Sequence, residues 1–290
     1  MAFVIRRARL SDKPEVLKVC ANTWHRWDYV PLYFNRWVRE KGFYVLLDGK
    51  RVIGLAKYTE LAPGELWLEG LRIDPQVRSR GLGWKVSQRI LKAALAEKPV
   101  SLRLTTGRRN THSRRIIRKM GLRLKVALWG REGPVPRRSG KARVFVPSAQ
   151  AAYDYIRKTA EFKTSKGLLQ HTWQFHTITP ELLGKLRRKG CLFGYGSNED
   201  LQGVLILQPG RYESGRLDIS FIEGSRKALP EFHRRIRQFA RQHKAKSISG
   251  MATSKSVLRH LGGLRMRPSR RGMKRPWVMV YEYPLAGARN

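Results

Sequence analysis

The sequence predicts a mixed α/β fold (α+β, with a mixed sheet) in which two similar units follow one another. Three observations predict it. Stretches that alternate with strand periodicity recur between stretches with helical stripes. The order of these stretches in residues 3–130 resembles the order in residues 148–290. Leu71 to Gly83, LRIDPQVRSRGLG, joins a strand through an Arg/Gly loop directly to an amphipathic helix. At 290 residues the chain suits one large domain or two of about 150. A hydrophobic content of 41% is enough for packed cores. The expected division is 1–130, a basic Pro/Gly linker at 131–147, and 148–290.

The first unit reads as a strand at 3–9, then helices at 12–25 and 31–39. Ser11 is a plausible N-cap, with Pro14 tolerated in the first turn. Strands at 43–48 and 51–60 meet at Asp48-Gly49, a two-residue hairpin signal. A strand follows at 65–74, where Trp67, Leu71 and Ile73 alternate. The next helix, 84–97, carries the stripe Val86, Ile90, Ala93 and Ala94. A strand at 100–106, a helix at 111–120 and a strand at 122–130 complete the unit. REGPVPRRSGKAR, residues 131–143, is rich in Pro, Gly and cations and reads as linker.

The second unit opens with a helix at 148–160, a strand at 171–177 and a helix at 180–190, where Thr179-Pro180 is a cap followed by an N1 proline. Strands at 191–196, 202–208 and 216–223, a helix at 227–244, a strand at 246–252, a helix at 254–261 and a strand at 277–284 follow. Leu229, Phe232, Ile236 and Phe239 form the core stripe of the long helix.

The Arg/Gly loop is the chemically informative segment. A helix that starts near Gly83 turns its unpaired N–H groups toward the loop, and bare donors with the helix dipole favour an anion. Gly81 and Gly83 permit close backbone approach, and Arg78 and Arg80 add positive charge. The segment is neither a Walker loop nor a dinucleotide fingerprint. Arg78-Ser-Arg-Gly-Leu-Gly83 matches R/Q-x-x-G-x-G/A, the pyrophosphate loop of the GNAT N-acetyltransferase superfamily. Asn110 to Leu122, an Asn-led helix ending at Gly and an apolar residue, resembles that family's next signature, and VIRRARLSDKPEV resembles its opening. The resemblance spans about residues 3–130. The repeated order makes the second half similar to a second GNAT fold, giving two GNAT-like domains in tandem. There the loop position reads EGSRKALP, residues 223–230, which departs from the motif. Loss of donor binding in that half is the expectation.

The resemblance implies acetyl-CoA as cosubstrate and direct transfer to an amine, with no metal. It implies that Arg78, Ser79, Arg80, Gly81, Leu82, Gly83 and Trp84 hold the pyrophosphate. The donor arm would lie beside Leu71, Arg72 and Ile73, with a backbone N–H near Ile73 polarising the thioester oxygen. Asn110 and Ser113 would also contact the donor, although Asn110 equally suits a helix cap. An attacking amine must be neutral, so a carboxylate has to take its proton. Glu69, on the strand that borders the thioester and in alternation with Trp67 and Leu71, is the expected base; Glu65 and Asp74 are weaker candidates at the strand ends. Many family members place a tyrosine seven residues after the Asn, as acid for the thiolate; here that position is Ile117, and Tyr58 or Tyr44 are alternatives. Trp24 to Tyr44 holds eight of the 28 aromatics, interleaved with Arg26, Arg36 and Arg39. That cluster either encloses the acceptor or is core.

The charge is abnormal. Lys and Arg number 60 against 21 acids, a net of +39, and between Lys98 and Arg131 there is no acid at all. Such self-repulsion implies an anionic partner. Arg234, Arg237, Arg241 and Lys244 step 3, 4, 3 on one helix face and are the candidate RNA or DNA contacts. A solvated basic surface is the alternative. No apolar run approaches 18 residues, so no membrane span is expected. Two cysteines without metal-type spacing suit a reduced cytoplasm. The competing functional readings are an N-acetyltransferase, with a nucleic acid as one candidate setting for its acceptor, and a nucleic-acid-binding protein on this scaffold with little or no catalysis.

Overall fold

The structure is a computed structural model that describes residues 3–24, 28–77, 81–137, 140–211, 215–269 and 275–285. Along the chain the elements are β1 (Val4–Arg7), α1 (Lys13–Trp24), α2 (Val30–Arg39), β2 (Phe43–Asp48), β3 (Arg51–Ala62), β4 (Glu65–Ile73), α3 (Leu82–Ala96), β5 (Ser101–Gly107), α4 (Thr111–Lys119) and β6 (Arg123–Pro134). Then come α5 (Ala149–Ile156), α6 (Ala160–Thr164), β7 (Leu168–His171), β8 (Gln174–Thr177), α7 (Pro180–Arg188), β9 (Leu192–Gly196) and β10 (Leu201–Pro209). The chain finishes with β11 (Arg216–Gly224), α8 (Ala228–Gln242), β12 (Ser247–Ala252), α9 (Lys255–Gly263), β13 (Arg267–Pro268) and β14 (Val278–Glu282).

The chain folds into two compact units. The first takes residues 1–106, 110–124 and the chain end from Val280; the second takes 107–109 and 125–279. In the first, β1, β2, β3 and β4 pair antiparallel in that order, and β4 pairs parallel with β5. Asp48 and Arg51 pair around the Lys50-flanked glycine turn, with Gly49 at φ 58°. Val16, Val19, Phe34, Trp37, Phe43 and Leu55 pack one face of this sheet. Leu82, Val86, Ile90 and Ala94 form the buried stripe of α3. The chain end joins here because Tyr283 N–H donates to Leu102 O at 2.9 Å and Glu282 pairs with Arg103.

In the second unit β12 pairs parallel with β11, which continues antiparallel to β10 and β9, while β6 lies antiparallel on the other side of β12. Residues 131–134, expected as linker, are therefore strand: Arg131 to Pro134 find their ladder partners in Ser247 to Gly250. The expected strand at 171–177 is a hairpin, β7–β8, because the chain reverses at Thr172, which sits at φ 56°. The expected helix at 148–160 is split. Thr159 accepts a hydrogen bond from Phe162 N–H at 3.2 Å and so caps a new helix, α6. Phe232, Ile236 and Phe239 of α8 are buried as the stripe required, with Leu229 partly buried. No helix among the described residues is long and apolar enough to cross a membrane.

Candidate active site

The first unit's sheet opens beside β4. The parallel β4–β5 ladder pairs only Glu65 with Ser101, Leu66 with Leu102 and Trp67 with Arg103. Beyond Trp67, β4 runs on to Ile73 hydrogen-bonded to β3 alone among the described strands. The bend that parts the two strands is a β-bulge. Lys57 pairs with Glu69 and Leu55 with Arg72, so two steps of β3 face three of β4. The extra residue is accommodated at Gly70, which has φ 72°. A Cβ there would lie 3.0 Å from the Trp37 ring. Glycine is required on both counts.

The bulge corrects the expected alternation. Glu69 does share a face with Trp67, but the residue that joins them is Arg72, not Leu71, because one inserted residue shifts the period by one. On this face Glu69 Oε1 accepts a hydrogen bond from Thr59 Oγ1 at 2.6 Å. Arg72 forms a two-pronged pair with Asp28, at 2.8 and 3.1 Å, and stacks 5.4 Å from the Tyr29 ring. Burial, reinforced by the charge of Glu69, raises the Tyr29 hydroxyl above its ordinary range, so it stays protonated. Lys57, opposite Glu69, is 1% exposed; its ammonium donates to Lys41 O and Tyr58 O and lies 3.3 Å from Glu40. Burial lowers its pKa, and Glu40 opposes that shift.

The other two carboxylates expected near the strand are engaged elsewhere. Glu65 faces Arg103 at 3.5 Å, and Asp74 accepts from Arg51 at 2.5 Å and from Gln76 N–H at 3.1 Å. Tyr58 does not reach in as a thiolate acid, because its hydroxyl donates to Glu97 at 3.0 Å, just past the C-terminal end of α3. The Tyr44 ring lies 5.3 Å from the Arg89 guanidinium, and Ile117 is buried. Phe34, Trp37 and Phe43 are core, stacked edge to face at 5.3 and 5.8 Å, so the aromatic cluster is structural there; Tyr29 and Tyr33 are half-buried against Trp37. Burial pushes the Cys20 thiol up to about 12, with Asp28 adding to the shift, so it is not a nucleophile.

At the far end of β4 the loop leads into α3. Arg78, Ser79 and Arg80 lie outside the described residues, as do His25, Arg26 and Trp27. Gly81 is the N-cap of α3, left-handed at φ 69°, with no side-chain cap and open space where a Cβ would be. Leu82, Gly83 and Trp84 supply the first-turn N–H groups, which have no intrahelical acceptor. Gly83 serves packing rather than ligand approach: a Cβ there would meet Ile116 at 3.1 Å and Ile73 at 3.8 Å. Asn110 is a helix cap, its Oδ1 accepting from Ser113 N–H at 3.1 Å. Asp74 N–H turns to Ile53 O of β3, so strand alternation aims the Ile73 N–H toward the side β5 has left.

Sequence reasoning missed Gly70, Thr59, Lys57 and the Arg72–Asp28 pair. An isolated glycine inside a strand pattern is a bulge signal, so Gly70 could have been found. The pair spans 44 residues and leaves no local signal.

The second unit treats the same place differently. The β11–β12 ladder ends at Ile219 and Gly250. The backbone groups just beyond are taken by the unit's own side chains. Gln170 accepts from Met251 N–H at 2.6 Å, and Glu161 accepts from Thr253 and Ser254 N–H at 2.7 to 3.1 Å. A ring nitrogen of His260 lies 3.5 Å from Ile222 O. The 223–230 segment leaves no gap for a ligand beside β10: Ser225 N–H donates to Gln202 O at 2.8 Å, and a Cβ at Gly224 would meet Ala228 of α8 at 2.9 Å and Gly203 of β10 at 3.2 Å.

The candidate site is thus a sheet split beside a bulged strand, followed by an uncapped glycine-led helix. Residues 11–122 match the model of the acetyltransferase (GNAT) family. Solved structures extend the likeness to the whole chain. The GCN5-related N-acetyltransferase from Sphaerobacter thermophilus is 12% identical, over 97% of this chain and 95% of that one, with a TM-score of 0.64. A tandem GNAT protein from the clavulanic acid biosynthesis pathway is 13% identical over 98% and 99%, at 0.59. The GCN5-related N-acetyltransferase from Kribbella flavida is 14% identical over 96% and 70%, at 0.54. At these identities the likeness shows the fold: two GNAT-like units in tandem. No curated sequence matches the chain.

Proposed function

We propose that the first unit transfers an acetyl group from acetyl-CoA to an amine by direct attack, and that the second unit binds no donor. The observation that carries the reading is the β4–β5 opening, which leads to an uncapped helix N-terminus and has Glu69 on the adjoining strand face. The residues fit the donor. Exposed Gly81 has room for an anion, and the N–H groups of Leu82, Gly83 and Trp84 are suited to a pyrophosphate. Leu71 and Ile73 would run beside the pantetheine arm. Acetyl-CoA supplies the acetyl group as a thioester.

The chain's own residues do the rest. Glu69 takes the proton that the amine must lose, and Thr59 holds the carboxylate for it. A backbone N–H near Ile73, on the edge of β4 that β5 leaves, would polarise the thioester oxygen. Ile117 stands at the family's tyrosine position and the Tyr58 hydroxyl is bonded to Glu97, so water or another side chain would protonate the thiolate. In the second unit Gln170, Glu161 and His260 engage backbone groups of β11 and β12 and of the turn after β12, which supports the reading that this half binds no donor.

The test is release of free CoA from acetyl-CoA across a panel of primary amines: amino acids, polyamines, lysine peptides and peptides with free N-termini. Mass spectrometry should show a 1:1 acetylated product. No amine-dependent release with any class would overturn the reading.

A further inference from the structure

The basic Pro/Gly segment and α8 form one surface. From Gly140 to Arg143 the segment runs along the helix toward its N-terminus. Gly140 O accepts from Gln238 Nε2 at 3.3 Å, and Arg143 N–H donates to Glu231 Oε2 at 2.8 Å. A Cβ at Gly140 would lie 3.5 Å from Arg234 Nε. The segment therefore brings exposed Lys141 and Arg143 alongside the cations of α8.

Not every cation of the helix is available. Arg234 is held by Glu231 at 2.6 Å. Arg235 is stacked on Phe193 and Phe239, at 4.3 and 5.8 Å. Arg237 is half-exposed, and Arg241 and Lys244 are exposed. Glu231 is the one acid between Ala228 and Lys244, and its carboxylate is already shared by Arg234 and the Arg143 N–H. Lys141, Arg143, Arg237, Arg241 and Lys244 thus form a ledge of five cations, with Glu231 the one carboxylate among the described residues of the segment and the helix.

We propose that this ledge docks the phosphate backbone of double-stranded RNA. Three features select that partner. The excess of 39 positive charges calls for a polyanion rather than a single anionic group. The aromatics of α8, Phe232 and Phe239, are buried, so the helix offers no platform on which unpaired bases could stack. The helix lies flat on its buried stripe instead of projecting, so it cannot enter a B-DNA major groove to read bases. An A-form duplex is recognised through shape and backbone, which a flat ledge can do. The proposal is independent of the acetyl-transfer reading.

Fluorescence anisotropy with a 20-base-pair RNA duplex, at 50 and 200 mM salt, tests it on the full chain. Five phosphate contacts at about 0.9 log unit each per log unit of salt weaken binding about 500-fold over that range. Arg237→Glu with Arg241→Glu and Lys244→Glu leaves two contacts and about a tenfold salt effect. The corresponding triple alanine variant should flatten the slope in the same direction. A control reversing exposed Lys163, Lys166 and Lys185 has the same net charge and should keep the full slope. The proposal fails if the control flattens as much as the ledge variants. It fails also if no duplex RNA binds at 50 mM salt, or if single-stranded RNA or duplex DNA of the same length binds as tightly.

Discussion

Gly70→Ala isolates the feature that sets the site's geometry. Gly70 is at φ 72°, where a side chain costs about 1–2 kcal/mol. A Cβ would also stand 3.0 and 3.1 Å from two Trp37 ring carbons, against a normal carbon contact of about 3.5–4.0 Å. Trp37 is 1% exposed and packed edge to face on Phe43, so it has little room to yield. Overpacking of this kind adds about 1–3 kcal/mol. The expected loss is about 2–5 kcal/mol in urea unfolding followed by tryptophan fluorescence. Gly49→Ala provides the reference: φ is 58°, but nothing lies within 4 Å of the added carbon, so only about 1–2 kcal/mol is expected. Gly70→Ala should also lower turnover, because the bulge fixes the neighbouring Glu69. A Gly70→Ala loss no larger than that of Gly49→Ala would refute the bulge as the element that seats β4 under Trp37.

The remaining predictions concern the base, its support and the second unit. Glu69→Gln should lower turnover about 10²–10⁴-fold with donor affinity unchanged, measured with whichever amine proves to be the acceptor. Thr59→Val, which removes the 2.6 Å hydrogen bond to Glu69, should lower turnover about tenfold, and Thr59→Ser should restore it. In the second unit, burial lowers the pKa of both His171 and His260, opposed by hydrogen bonds to Pro209 O and Ile222 O. The unfolded chain therefore binds more protons near these sites than the folded chain does. Their stability contribution is full above about pH 6.5 and is lost as the pH falls below it toward the lowered folded values. Thermal unfolding at pH 7.5 and 5.0 should show the double His171→Gln, His260→Gln variant losing less than the parent.

What was legible in the sequence is what is encoded locally. The RSRGLG run leading into a stripe of Val86, Ile90 and Ala94 marks α3 and the anion-facing loop, because helix periodicity and glycine both act over a few residues. Asp48-Gly49 marks its hairpin for the same reason, and the apolar step of α8 marks its buried face. The site's other half depends on pairing. Whether Leu71 or Arg72 shares a face with Glu69 turns on a register shift relative to β3, which only the ladder shows. Tyr58 looked available because its partner, Glu97, lies 39 residues away. Asn110 satisfied two descriptions at once, and the hydrogen bond from Ser113 N–H shows that it caps α4. The 131–134 stretch has the Pro and Gly of a linker, yet unpaired strand groups of β12 recruit it into the sheet.

The central claim is that the chain binds one acetyl donor, at the N-terminus of α3. Isothermal titration of the full chain with acetyl-CoA measures it directly, together with Gly81→Asp. That change places a carboxylate in open space beside the first-turn N–H groups, where it competes with a phosphate for the same donors and repels it. The account predicts one site per chain, abolished in Gly81→Asp while that variant stays folded and loses no more than about 1–2 kcal/mol, the cost of a side chain at φ 69°. Two sites per chain, or unchanged affinity in Gly81→Asp, would contradict it.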